Sequence, residues 1–215
     1  MRPPGLSAAL LIACFVQVAH SDDWAGPYER EVFNPSGNLK VRVVPGKSYG
    51  DQFGFLGAPK GPYATAELYS KSGADGYTLI RTFTLLNPVA PVDVFLTDSG
   101  HVITFDNWHN MGYGKAVVLY ESNGSVLRAY SLQDLFPATD IKQFRRSVSS
   151  IRWRQALADY SLESIGGKVL STWKGPKLAI GQRTICIATE TKFRNVEFSL
   201  ETGEFRREQP CVTLH

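Results

Sequence analysis

Charge of one sign, long hydrophobic runs and histidine are all in short supply in this chain. Across 215 residues, 23 Lys and Arg stand against 20 Asp and Glu, a formal net charge of +3. A nucleic-acid footprint needs Lys and Arg gathered on one face. The nearest gathering is Lys142, Arg145, Arg146, Arg152 and Arg154, which reads first as a solvated face and only second as an anion-binding strip. Nucleic acid is therefore not expected as a partner. The four histidines include no His-x-x-x-His pair and the cysteines have no close spacing, so the ligand pattern that zinc requires is missing. There is no Gly-x-Ser-x-Gly elbow to aim a nucleophile, and no glycine-rich cradle opens a helix for a phosphate. No catalytic residue, metal or cofactor is assigned on these grounds.

Apolar residues form a long run in one place, residues 6–18. It follows Met1-Arg2 and ends at Ala19-His20-Ser21, before Asp22-Asp23. A positive start, a short apolar middle and a small-x-small exit describe a secretory signal, and the run is shorter than the roughly 20 residues that span a bilayer. The expected product is a secreted or periplasmic protein of residues 22–215, one β-rich domain with no transmembrane segment. Leu11-Ile12-Ala13-Cys14 also resembles a bacterial lipobox, which makes lipid anchoring at Cys14 the alternative. The apolar run continues through Phe15, Val16 and Val18, and this favours cleavage after Ser21.

Export bears on the remaining cysteines. Cys186 and Cys211 would meet an oxidising compartment, where an even count reads as a disulfide. Closing a loop of about 25 residues would stabilise the fold by roughly 3 kcal/mol in the chain-entropy picture. Two buried thiols are the alternative.

Most of the rest reads as strands. Residues 39–44 alternate apolar with charged side chains, the period-two mark of a half-buried strand. Further strand signals fall at 64–70, 77–85, 92–96, 101–105, 115–120, 126–131, 168–173, 184–188, 195–200 and 204–207. Turn formers separate them, notably Pro35-Ser36-Gly37, Asp98-Ser99-Gly100 and Asn123-Gly124, as tight hairpins demand. Asn123-Gly124-Ser125 also fits the N-glycosylation pattern, but the hairpin turn explains it without a glycan. Helix signals are few. Ser131-Leu132-Gln133-Asp134 has capping-box spacing, and Pro137 stops that helix after barely a turn; a second short helix is expected from about Thr139 to Phe144. Residues 46–61, with Tyr49, Phe53 and Phe55, read as an exposed glycine-rich loop. Residues 147–154 read as a strand with Val148 and Ile151 inward and the Arg–Trp neighbours at the surface.

The strands fall into a loose repeat of strand, glycine turn, strand, loop, strand, glycine turn, strand. One copy runs from Val32 through Ser36-Gly37 and Leu68-Tyr69 to Gly76-Tyr77. A second runs from Val94 through Ser99-Gly100 and Leu119-Tyr120 to Gly124-Ser125. A weaker third joins residues 162–170 to Val196-Glu197-Phe198 and Gly203-Glu204-Phe205. Four antiparallel strands per unit make the blade of a β-propeller. The second unit, with Phe105-Asp106-Asn107-Trp108-His109 and Gly112-Tyr113-Gly114, resembles exported bacterial β-propeller-like repeat proteins. That resemblance implies a fold and a compartment, and no activity. The expectation is an all-β chain of four-stranded, blade-like antiparallel repeats, propeller-like or as open stacked sheets, with one or two short helices. Three units are fewer than the four to eight that close a ring, which leaves a hidden degenerate fourth unit, an open stack or sandwich, or a homo-oligomer that shares closure.

Functional side chains are densest at residues 106–114. Asp106, Asn107, Trp108, His109 and Tyr113 combine apolar faces with directional hydrogen-bonding groups, the mixture found in ligand sites. They are the candidate ligand-binding residues, and an extracytoplasmic protein, peptide or carbohydrate is the expected partner of what reads as a binding or interaction module. The same residues have a structural explanation, in which Asp and Asn cap turns and Trp108 plugs a core. The rival activity is a secreted hydrolase using Asp106 and His109.

Overall fold

The computed structural model describes residues 24–73, 76–154, 161–165, 168–172, 178–180, 183–189 and 195–207. The expected signal at 1–21, the lipobox Cys14 and the second cysteine, Cys211, lie outside them. Among the described residues no helix is long and apolar enough to cross a membrane.

The chain is mostly antiparallel β. Strands β1 (Arg30–Phe33) and β2 (Leu39–Val44) lead into a one-turn helix α1 (Tyr49–Phe53), then β3 (Thr65–Ser72) and β4 (Gly76–Thr84). A second meander comes next as β5 (Pro91–Leu96), β6 (Val102–Asn107), β7 (Val117–Tyr120) and β8 (Val126–Tyr130). Helices α2 (Leu132–Leu135) and α3 (Ala138–Ile141) precede the two-residue strands β9 (Arg145–Arg146) and β10 (Ile151–Arg152). Then come β11 (Ser161–Ile165), β12 (Lys168–Thr172), β13 (Leu178–Ile180), β14 (Thr184–Ala188), β15 (Asn195–Ser199) and β16 (Phe205–Arg207). Among the described residues these make three four-stranded sheets, each in sequence order, and two two-stranded ribbons.

The sheets stack through two cores that share the middle sheet. On β6 and β7 successive residues alternate between them: Ile103, Phe105, Val117 and Leu119 face one way, Val102, Val118 and Tyr120 the other. The second set packs on Val41, Val43, Ala66 and Leu68 of the first sheet. The first set packs on Ile185, Ile187, Val196 and Phe198 of the third, together with Leu132, Leu135 and Trp153. A strand buried on both faces loses its apolar–polar alternation, which is why every residue of β6 and β7 is buried. Each buried aliphatic side chain there contributes about 1.5–3 kcal/mol of burial.

The first sheet turns a polar face outward. On the first sheet Lys40 pairs with Glu31 at 2.8 Å, and Arg42 with Glu67 at 3.2 Å and with Glu29. The Lys40 ammonium also lies 4.9 Å from the centre of the Tyr69 ring. On the third sheet the face away from the core carries Thr184, Ser199, Glu197 and the buried Cys186.

Four expectations need correction. The third sheet takes β13 as its first strand, whereas among the described residues Ser161–Ile165 and Lys168–Thr172 pair with each other as β11 and β12; the glycine turns are too unevenly spaced to show which hairpin opens this unit. Residues 46–61 contain the helix α1, and the loop folds back on it: the Gly50 amide donates to the Pro59 carbonyl at 2.8 Å, and a Cβ on Gly50 would meet the Ala58 carbonyl at 2.6 Å. Strand β6 continues to Asn107, which pairs with Pro91, so Asp106 and Asn107 end a strand and do not open a loop. Residues 147–154 hold only β10 of two residues; Val148 is 79% exposed, while Trp153 and Arg154 are buried and Ile151 is buried as expected. The capping box at Ser131 and Asp134 is formed, and α2 ends before Pro137 as its ring requires.

Candidate functional site

In an antiparallel meander the connections alternate between the two ends of a sheet. The β1–β2, β5–β6, β7–β8 and β15–β16 turns lie at one end of the stack. The chain entering β1, the β2–β3 loop carrying α1, the β4–β5 link and the β6–β7 loop lie at the other. The candidate residues at 106–113 belong to this second end.

Asp106 and Asn107 hold that end together from inside. Asp106 has φ +54°, in the left-handed region, which turns its carboxylate inward, away from solvent. Its Oδ1 accepts from the Trp153 indole at 2.8 Å and from the Gly112 amide at 2.8 Å, and its Oδ2 accepts from Arg154 Nε at 2.8 Å. Arg154 reaches on to Asp93, its second nitrogen 2.7 Å from Oδ2. Burial pushes the Asp106 carboxyl up, and Arg154, Trp153 and Gly112 pull it back. With three donors and no acceptor against it, the ionised form is the one that fits. Burial also works against the Arg154 charge, but Asp106 and Asp93 outweigh it and hold the guanidinium above its ordinary value. Asn107 accepts from Asn87 at 2.8 Å and donates to the Tyr113 carbonyl at 3.0 Å. Both side chains are buried, and the Asp106 oxygens are taken up by Trp153, Gly112 and Arg154.

Trp108 and His109 point the other way. His109 has φ +61°, stored strain of order 1–3 kcal/mol for a residue with a side chain, and the Asn110 amide closes the turn onto the Asn107 carbonyl at 2.9 Å. The two rings lie 5.5 Å apart and gather others. Phe53 is 6.1 Å from Trp108 and 5.6 Å from His109, Tyr49 is 6.1 Å from Trp108, and Trp24 is 5.7 Å from His109. Helix α1 is fastened there by Gln52, which donates to the Trp108 carbonyl at 3.0 Å and accepts from Asn110 at 3.1 Å. Phe55 stacks on Phe53 at 5.5 Å and is 68% exposed, and Leu56 beside it is fully exposed. Tyr113 is exposed but belongs to no ring contact of this cluster.

A cleft of about 190 Å³ opens beside these rings, lined by Trp24, Pro27, Tyr28, Arg30, Pro91 and Trp108. Arg30 donates to the Val92 carbonyl at 2.7 Å and the Pro91 carbonyl at 2.8 Å, tying the first sheet to the second. Burial lowers its pKa against the pull of Asp93. Trp24, Tyr28 and Arg30 were missed in the sequence. The closeness of Trp24 and Tyr28 around Gly26-Pro27 was the available signal, and nothing local tied it to residue 108.

The opposite end holds a second, polar cleft of about 480 Å³ between the middle and third sheets, lined by Ser99, His101, Glu121, Arg183 and Glu201. His101 Nδ1 lies 2.9 Å from Ser99 Oγ, and burial lowers its pKa against the pull of Glu121. Among the described residues no three His, Cys, Asp or Glu side chains come together as a metal site. Of the five basic residues at 142–154, four are exposed and Arg154 is buried. No protein-family model, curated protein or solved structure matches this chain.

Proposed function

We propose that this is an exported binding module that works outside the cytoplasm, with its ligand-facing surface at the aromatic end of the stack. The observation that carries this reading is the division of labour within residues 106–109. Asp106 and Asn107 lock the loop from below, while Trp108 and His109 join Trp24, Phe53 and Phe55 on top. Binding residues commonly sit on loops held by a rigid sheet scaffold. Tyr28, Phe55 and Leu56, all strongly exposed at that end, supply apolar surface that contributes nothing to the core. The export half of the reading rests on the pattern of Met1 through Ser21.

The three meanders are consecutive propeller-like blades in an open stack. In favour of this, β1 to β4 and β5 to β8 repeat one order and one turn chemistry. The Asn34 side chain accepts from the Leu39 amide at 2.8 Å where the Thr97 side chain accepts from the His101 amide at 2.9 Å. The polar outer face of the first sheet favours an open stack over a closed ring, in which that blade would need two apolar faces.

Photo-crosslinking tests the binding face. A benzophenone side chain at Phe55 should capture a partner in the cell that exports the protein, and the same group at Ser122, on the opposite end, should not. Equal capture from both positions, or capture from Ser122 alone, would place the surface elsewhere.

A further inference from the structure

The cleft at the aromatic end is small. Small-molecule sites occupy roughly 300–1,000 Å³, whereas this one has about 190 Å³, room for a chain passing through and not for a compact ligand. Its walls are two tryptophans, a tyrosine and two prolines. Its side-chain nitrogens are donors, those of Trp24, Trp108 and Arg30. Two Arg30 nitrogens are occupied by the carbonyls of residues 91 and 92, but Trp24 Nε1 is buried with no hydrogen-bond partner. A buried donor without an acceptor carries a desolvation cost that an arriving carbonyl would relieve.

The chain already displays what this surface accepts. The Trp108 indole donates to the Ala25 carbonyl at 2.9 Å, and Gly26-Pro27 continues along the cleft wall. A segment that continues into proline thus places a carbonyl on one indole, and the neighbouring Trp24 indole N–H, enclosed in this structure, has no acceptor. Proline has no N–H, and polyproline II backbone makes no internal hydrogen bonds, so such a segment offers carbonyls and asks for no acceptors. Aromatic-lined grooves recognise it on that basis.

We propose that this cleft binds an extended, proline-containing peptide, with the part-exposed Trp24 ring turning so that its indole N–H, enclosed in the free protein, donates to a peptide carbonyl. This rests on the binding face proposed above and names its ligand class.

The test is a titration of the ¹⁵N-labelled mature protein, watching the indole N–H resonances of Trp24, Trp108 and Trp153. The probes are a short alternating Pro-Ala peptide, a Gly-Ser peptide of equal length, and cellotetraose. The Pro-Ala peptide should move the Trp24 resonance downfield, leave Trp153 in place, and bind more tightly than Gly-Ser. Trp24→Phe keeps a ring but removes the donor, and should weaken that binding about fivefold, with an unmoved Trp153 resonance showing the variant folded. Equal affinity for the two peptides, or for Trp24→Phe and the parent, overturns the proposal. Should cellotetraose alone move the Trp24 and Trp108 resonances, the peptide assignment fails and the binding face stands. If no probe moves either one, the peptide assignment fails; absence of crosslinking at Phe55 would then remove the binding face as well.

Discussion

Arg154 Nε lies 2.8 Å from Asp106 Oδ2, joining residues 48 positions apart through side chains that are 1% and 0% exposed. The pair fastens the end of β6 to the segment that leaves β10, where Arg154 also bridges to Thr189 beside the third sheet. Buried ion pairs add little over an apolar substitute, but removing one partner strands the other charge. Asp106→Ala should therefore lower the free energy of unfolding by about 3–5 kcal/mol, read from urea denaturation. The double variant Asp106→Leu, Arg154→Met should recover much of that loss. A single-variant loss under about 1 kcal/mol would mean that Arg154 finds another partner.

His101 gives the fold a pH dependence whose sign is set by burial. Its folded-state pKa lies below the ordinary 6.5, so the unfolded chain binds the proton more readily. Above pH 6.5 the group is neutral in both states and costs nothing. As pH falls from 6.5 toward the lower folded value, stability is lost. The difference in unfolding free energy between His101→Asn and the parent should thus shift in the variant's favour as pH drops through that window. A difference independent of pH would remove His101 as the cause.

The strands were legible in the sequence because alternation and glycine turns are local signals, and most strand positions derive from them. What was hidden depends on partners far along the chain. Arg154 reads as a surface cation among Arg145, Arg146 and Arg152 until Asp106 and Asp93 are brought to it. Asp106 reads as a loop residue because its left-handed backbone and its three donors are tertiary facts. Trp108 and His109 were identifiable as a dense patch, but their ring partners Trp24 and Phe53 lie more than fifty residues away. The helix at Tyr49–Phe53 has a glycine inside it and no side-chain N-cap, so neither propensity nor capping announces it.

Processing and cysteine pairing make a joint prediction. Protein recovered from an oxidising compartment should begin at Asp22 by mass spectrometry and should show no free thiol when denatured without reductant. Cys186 is 4% exposed on the face of β14 turned away from the core residues Ile185 and Ile187, the side from which a bridge to Cys211 would have to come. An acylated Cys14 at the N-terminus would overturn the cleavage site. Two titratable thiols in fully exported protein would overturn the bridge.

Two tryptophans should respond differently to truncation. Trp153 is 0% exposed, packs 6.0 Å from Phe136, and donates to the buried Asp106 carboxylate. Truncating it removes core volume and a charge-assisted hydrogen bond together, so Trp153→Ala should cost at least the roughly 3–5 kcal/mol typical of a buried aromatic. Trp108 is only partly buried, and its indole bonds to the carbonyl of Ala25, an exposed residue before the first strand. Its ring partners Tyr49 and Phe53 belong to α1, which Gln52 and Asn110 also fasten through main-chain carbonyls. Trp108→Ala leaves those fastenings and both cores in place, so its cost should fall below that range. Equilibrium unfolding of the two variants under one condition decides the matter. Equal, core-sized losses would make Trp108 a plug for the end of the stack, and the aromatic surface would then exist to hold the fold and not to meet a ligand.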